Sequence, residues 1–317
     1  MTLELASARV VRKPWGRTDL RPWSELGCDG AAIGEVWFQR VDTAAPEPAL
    51  LLKLLFTGEA LSIQVHPDDA FARTVGLPHG KTEAWYVLSA APEAEISLGL
   101  KRSLTSPQLR AAIVDGSIAD LVQRQVAHAG EAIVVSAGTI HAIGAGLVIA
   151  EIQQRSDATF RMFDYGRPRE LHIDGAVGAA TAGPAPVQAP SERLSDARLV
   201  VARSAYFVLE QLDLAADTYW DIEADREVWM LVLEGSAEFD LLRAVSGDAV
   251  FVEGQRVRVR TGAGPVKALL AYVGDEPIAT LFQSRSCESR LAMIGHSPEL
   301  GRVHELEAFT PGRGSGS

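Results

Sequence analysis

Residues 61–66 alternate strictly between apolar and polar side chains, Leu61-Ser62-Ile63-Gln64-Val65-His66, and Pro67 follows at once. Side chains on a pleated strand point to opposite faces in turn, so Leu61, Ile63 and Val65 share one face and Ser62, Gln64 and His66 the other. An apolar face behind and a row of serine, glutamine and histidine in front predicts a barrel strand whose inner face lines a polar site. Gln64 and His66, two residues apart, can grip one ion there. Proline has no N–H for the ladder and ends the strand, and Asp68-Asp69 then opens a short helix through Phe71.

Other stretches bring chemistry toward the same space. Residues 49–56 are apolar apart from Lys53, and a lysine inside such a strand either snorkels to the surface or points at an anion. In Lys81-Thr82-Glu83-Ala84-Trp85 the cation, the carboxylate and the indole share one face. If this strand pairs with the first, Glu83 is a third ligand candidate. The strand from Gly130 runs through a small-residue turn to His141, a fourth, and the strand after it carries Glu151 and Gln153 on one face. Lys13-Pro14-Trp15-Gly16 reads as a turn and Gly34-Glu35-Val36-Trp37-Phe38 as a strand, neither specific alone. Ser106-Pro107 is a helix start with Leu109 and Ile113 at helical spacing, and Gly116-Ser117 restarts a second helix through Leu121, Val122 and Val126. Together they predict a helical insert over about 105–128 in a β-rich domain.

The net charge of −11 argues against nucleic acid or an anionic membrane as partner, since both demand basic surface. There is no run of eighteen apolar residues and residues 1–17 lack a secretory pattern, so a cytoplasmic protein is the simplest expectation. Cys28 and Cys287 stand far apart with no CxxC neighbour, which predicts two reduced structural thiols. The 317 residues suffice for two domains. Residues 176–190, rich in Ala, Gly, Pro and Thr, read as a linker between a first domain at 1–175 and a second at 191–310, and 311–317 as a disordered tail. Short strands are expected at 206–214, 228–242 and 249–259. Glu83-Ala84-Trp85 is echoed by Glu227-Val228-Trp229, and Gly130 to His141 by Gly247 to Arg258. Arg258 then stands where His141 stood, and the second domain reads as a degenerate copy without metal ligands.

Gln64, His66, Glu83 and His141 offer two nitrogens and two oxygens, a set that suits zinc and tolerates manganese, cobalt or ferrous iron. His79, His128, His172, His296 and His304 are expected at the surface. The spacing Gly130-x5-Ser136-x-Gly138-x2-His141 resembles the second cupin motif, with serine in the proline position. Residues 61–69, 80–88, 138–146 and 151–161 resemble the type I mannose-6-phosphate isomerases, and Lys13-Pro14-Trp15-Gly16 and Gly34-Glu35-Val36-Trp37 resemble the start of their short bacterial branch. The resemblance covers roughly residues 10–173.

It implies a mainly β fold of two jelly-roll (cupin) barrels with the helical insert in the first. It also implies a zinc-dependent aldose–ketose isomerase interconverting mannose 6-phosphate and fructose 6-phosphate through an enediol(ate). Carried over by motif, Gln64, His66, Glu83 and His141 would hold one zinc ion per chain. Lys53, Ser62 and Lys81 match positions associated with substrate and phosphate, Lys81 among the catalytic groups as well, and Arg161 matches the catalytic arginine. Arg167 is a further basic candidate. Moving hydrogen between C1 and C2 needs a base and a sink for the enediolate charge, and Glu151 is the candidate base, or else the ion-pair partner that orients Arg161. The partner implied is a small sugar phosphate. The segment between Trp37 and Ala49 is shorter than usual for the family, and the second domain resembles it weakly. Two rivals share the ligand set: a non-catalytic sugar-phosphate-binding cupin, and a metal-dependent cupin oxygenase, which has no need of Lys53, Lys81 and Arg161 together.

Overall fold

The computed structural model describes residues 1–26 and 30–285. Strand β1 (Thr2–Leu5) is followed by β2 (Ser7–Val11), β3 (Glu35–Gln39), β4 (Leu50–Phe56), β5 (Ile63–Val65), helix α1 (Asp69–Thr74), β6 (Glu83–Ala90) and β7 (Glu95–Leu100). Helices α2 (Ser106–Asp115) and α3 (Ile118–Leu121) precede β8 (Val122–Val126), β9 (Ala132–Val135), β10 (His141–Ile143), β11 (Leu147–Gln154), β12 (Phe160–Phe163) and helix α4 (Ile173–Ala179). The rest is strand: β13 (Glu192–Ser195), β14 (Arg198–Arg203), β15 (Phe207–Leu214), β16 (Tyr219–Ala224), β17 (Val228–Glu234) and β18 (Ser236–Phe239). It closes with β19 (Leu242–Val245), β20 (Ala249–Glu253), β21 (Gln255–Thr261), β22 (Val266–Val273) and β23 (Phe282–Ser284).

These strands form four open sheets, and none closes into a barrel among the described residues. Two have the orders β2-β3-β4-β11-β6-β9 and β12-β5-β10-β7-β8, and adding eleven to every strand number in them generates the other two. The chain therefore folds one topology twice, and β1 alone crosses over, pairing with β20 of the second copy. The two larger sheets meet face to face through Phe38, Leu52, Leu54 and Phe56 on one side and Phe207, Leu209, Trp229 and Phe251 on the other. Residues Met1–Ser284 make one compact unit.

Within each copy the larger sheet faces a smaller one, and the two inner spaces differ. The second holds 23 buried apolar residues, among them Val228, Met230, Val257 and Val259. The first holds 14. What fills the remaining space there is polar, and that is where the site lies.

Several sequence expectations are corrected. Asp68 caps α1 as expected, accepting the Phe71 N–H at 2.7 Å, and α2 starts at Ser106 as read, with Thr105 as its cap in a reciprocal box with Gln108. The second helix stops at Leu121, because residues 122–126 form the edge strand β8 and pair along β7 instead. The stretch 228–242 is broken at Gly235 and 249–259 at Gly254, both in the left-handed region that glycine adopts freely. Residues 176–190 are no free linker: α4 takes the start, Thr181 and Pro184 bridge to Thr139 and Gly99, and the Gln188 amide pairs with the backbone of Val134. The residue-by-residue echo is out of phase. Glu83 and Trp85 face the inner space of the first copy, whereas Trp229 sits in the core between the large sheets and Glu227 caps the backbone N–H groups of Ala49 and Leu50. A shift of one residue moves a strand's side chains to the opposite face. Likewise Arg258 is exposed and paired with Asp240, while Val257 and Val259 point inward. Cys28, Cys287, His296, His304 and the tail at 311–317 lie outside the described residues.

Candidate functional site

Strand register assembles the site. In the smaller sheet His141 of β10 lies opposite Gln64 of β5, and Arg161 of β12 flanks Gln64 on the other side. In the facing sheet Glu151 of β11 sits between Lys53 of β4 and Trp85 of β6, and Gln153 lies opposite Glu83. Directly paired residues share a face, so these side chains all enter the space between the two sheets.

The hydrogen bonds of the two histidines define their state. The Nδ1–H of His66 donates to the Ala158 carbonyl at 2.7 Å and that of His141 to the Thr139 carbonyl at 2.9 Å, an assignment made from the partners. Each ring therefore turns a bare Nε2 lone pair to Glu83, 3.3 Å from Oε2 for His66 and 3.5 Å from Oε1 for His141. Burial, seconded by the Lys81 ammonium, pushes His66 down to about 4, and burial lowers His141 as well. Both rings are neutral near pH 7, so lone pairs face a carboxylate, acceptor against acceptor. His66 Nε2 and Glu83 Oε2 are buried without a hydrogen-bond partner. A cation among them resolves the conflict, because two imidazole nitrogens and a carboxylate within 4.8 Å of one another are a metal-ligating set. Peptide carbonyls fix both tautomers, as metal-binding histidines require.

The fourth expected ligand is oriented differently. Gln64 Oε1 accepts from Ser62 at 3.0 Å, and Nε2 approaches His141 Nε2 at 3.4 Å. Glutamine ligates through its oxygen, so joining the other three requires the amide to turn over. Ser62 is buried and bonded only to Gln64 in this arrangement.

Around this trio runs a buried ladder of alternating charge. Lys81 Nζ is 2.9 Å from Glu83 Oε2 and 3.8 Å from Glu151 Oε1, and Lys53 Nζ is 2.9 Å from the same Glu151 oxygen. Burial alone would lower Lys81, but the carboxylates of Glu83 and Glu151 outweigh it and hold the ammonium above its ordinary value. Burial likewise opposes ionisation of Glu83, and Lys81 holds it well below the usual carboxylate range. Of the two readings open for Lys53, it points at anions. Glu151 pairs with the two lysines and not with Arg161, and its Oε1 has no aligned hydrogen-bond donor.

At the other side Arg161 donates from Nη1 to the Glu170 carbonyl at 2.8 Å, and its Nε is buried without a partner. Burial and then the Arg169 charge lower its pKa, from a value so high that it stays cationic. All three nitrogens of Arg167 are engaged, with Asp164, the Ala60 carbonyl and Glu59. Arg169, unremarked in the sequence, shares the buried carboxylate of Asp164. His172, expected at the surface, is half-buried and accepts the Arg161 backbone N–H at 3.0 Å. His79 and His128 are exposed as expected. Sequence reasoning also passed over Glu35, although Glu35-Val36-Trp37 repeats the spacing of Glu83-Ala84-Trp85, and in both the indole N–H donates to the glutamate two residues earlier.

No protein-family profile matches the chain. It is 41% identical over 140 residues to a mannose-6-phosphate isomerase of Streptococcus mutans, a match over 42% of this chain and 44% of that protein, so it spans under half the length of this relative. It is 30% identical over 231 residues to the mannose-6-phosphate isomerase ManA of Bacillus subtilis, covering 69% of this chain and 71% of that one. The solved mannose 6-phosphate isomerase of Bacillus subtilis superposes with a TM-score of 0.71 at 25% identity, over 86% of this chain and 99% of that chain.

Proposed function

The chain belongs to the mannose-6-phosphate isomerase family, and on that premise we propose that it is a zinc-dependent aldose–ketose isomerase interconverting mannose 6-phosphate and fructose 6-phosphate. The observation that carries the reading is the buried metal-ligating trio of His66, Glu83 and His141 beside a Glu151 carboxylate held by Lys53 and Lys81. His66, Glu83 and His141 would hold one zinc ion per chain, joined by Gln64 once its amide turns. Bound there, zinc supplies Lewis-acid stabilisation of the negative charge that develops on the sugar oxygens.

The chain's own residues do the rest. Glu151 takes a proton from the carbon next to the carbonyl and returns it to the neighbouring carbon, its carboxylate held in place by Lys53 at 2.9 Å. Lys81 and Arg161 offer fixed positive charge for the enediolate, in a space from which burial excludes most water. Lys53 keeps Glu151 aimed. Ser62 orients Gln64, and Arg161 and Arg169 make the basic rim that receives the phosphate. Arg167, spent on Asp164, Ala60 and Glu59, acts there by holding the rim together.

Each copy of the repeated topology corresponds in this reading to one jelly-roll of the cupin type, the first within 1–175 with its helices, the second from 191 to the end of the described residues, without ligands; the rest of the expected 191–310 domain lies outside them. A cytoplasmic sugar-phosphate enzyme also accords with the acidic chain, in which Lys53, Lys81 and Arg161 bring positive charge to the space between the first copy's sheets. The test is turnover of mannose 6-phosphate by the purified, metal-analysed protein with and without a chelator. Activity lost on chelation and restored by zinc is the expected result, and a zinc-loaded protein that binds the sugar phosphate without turnover overturns it.

A further inference from the structure

The ladder of alternating charge does not end at Lys53. Glu35 on β3 is buried, with Oε2 3.9 Å from Lys53 Nζ and Oε1 3.3 Å from Lys13 Nζ. Trp37 braces both partners: its indole N–H donates to Glu35 Oε2 at 2.5 Å, and its ring centroid lies 5.4 Å from the Lys53 ammonium. Lys53 is thus drawn toward two carboxylates from opposite sides, Glu151 in the reaction space and Glu35 behind. Burial would raise Glu35, but Lys53 and Lys13 outweigh it, and the carboxylate stays ionised.

We propose that Glu35, anchored by Lys13 and Trp37, is a positioning residue that fixes the Lys53 ammonium where it holds the Glu151 carboxylate aimed for the proton transfer. The proposal rests on the isomerase reading above, in which Glu151 is the base. It accounts for two stretches that the metal site leaves unused, Lys13-Pro14-Trp15-Gly16 and Gly34-Glu35-Val36-Trp37. A lysine ammonium on its flexible four-carbon stem keeps its rotamer freedom when it has a single carboxylate partner. A second carboxylate on the neighbouring strand fixes its place. Glu35 touches no reacting atom, and its effect passes entirely through Lys53.

Glu35→Gln removes the charge and retains an acceptor for Trp37. The expected result is a fall in kcat of about tenfold with KM for mannose 6-phosphate within about twofold and zinc content unchanged, the pattern of a transition-state effect alone. The same substitution in a Lys53→Met background is expected to cost less than about twofold, because the residue through which it acts is gone. The 15N resonance of the Lys53 ammonium, read without turnover, is expected to move in Glu35→Gln. A kcat within about twofold of wild type, a full-sized loss repeated in the Lys53→Met background, or an unmoved Lys53 resonance each overturns the proposal. A wild-type protein without isomerase activity overturns the earlier reading instead, and the Lys53 resonance still decides whether Glu35 positions the lysine.

Discussion

The Trp85 indole offers the sharpest separation of site from scaffold. Its N–H donates to Glu83 Oε1 at 3.0 Å, and the whole side chain is buried. Trp85→Phe keeps an aromatic ring beside His141, 5.5 Å away in the native protein, and deletes the donor. A hydrogen bond to a buried charge is worth about 1.5–3 kcal/mol, and at 1.4 kcal/mol per decade its loss is expected to weaken zinc binding by roughly 10- to 100-fold. The protein supplies its own control. Trp229 donates to Glu227 Oε1 at 2.8 Å across the same two-residue spacing, is equally buried, and faces the core between the large sheets. Both substitutions leave a comparable void, though Glu227 Oε1 keeps the Leu50 N–H, so each should lower the melting temperature, by about 3 to 4 °C for a loss near 2 kcal/mol. Only Trp85→Phe should change the zinc dissociation constant, measured by competition with a chromophoric chelator. Equal zinc affinity in the two variants, or a loss of affinity in Trp229→Phe as large as in Trp85→Phe, would refute the idea that Trp85 acts by orienting the ligand carboxylate.

Other outcomes follow from the same geometry. Glu83→Gln should lose metal on dialysis, whereas Arg161→Ala should keep it and lose turnover by about 100-fold or more, as expected for a charge that stabilises the transition state; metal analysis beside a single-turnover assay distinguishes them, and equal metal loss in both removes the division of roles. Asp164 is depressed below its ordinary value because hydrogen bonds from Arg169 and Arg167 outweigh its burial. A carboxylate lowered in the folded state contributes stability above its unfolded pKa of about 3.9 and loses it as pH falls through the folded value. Asp164→Asn should therefore be less stable than wild type at pH 7 and converge with it in acid; denaturant melts across that range measure the gap, and one that stays constant with pH would contradict the linkage.

Much of the site was legible because it rests on strand parity. Read as strands, residues 61–66 and 81–85 send Ser62, Gln64, His66, Lys81 and Glu83 to inner faces by period two alone. The strands themselves span only Ile63–Val65 and Glu83–Ala90, and Leu61 packs in the inner cluster of Trp85 instead of with Ile63 and Val65. The Lys53 alternatives were open in the sequence because a lone lysine in an apolar strand looks the same whether it snorkels or pairs. Its partners Glu151 and Glu35 lie 98 residues later and 18 earlier, and only the order β3-β4-β11 brings them beside it. The surroundings of Arg167 are hidden in the sequence for a similar reason. Its charge was visible, but the Asp164 carboxylate and the Ala60 carbonyl that occupy it are tertiary neighbours.

The doubled architecture shows the same division. Composition and repeated motifs were enough to suggest a second copy without metal ligands, because turns and alternating strands are written locally. Which residues correspond was not, since a motif match fixes spacing along the chain but not which face of a sheet is buried. Packing decided that: the second copy turns Val228, Met230, Val257 and Val259 inward and closes on an apolar core. The first copy turns inward charged groups that stabilise the fold only when paired with one another. Local patterning determines which side chains can share a face, and long-range strand order determines which of them meet, because burying a charge is tolerable only beside its partner.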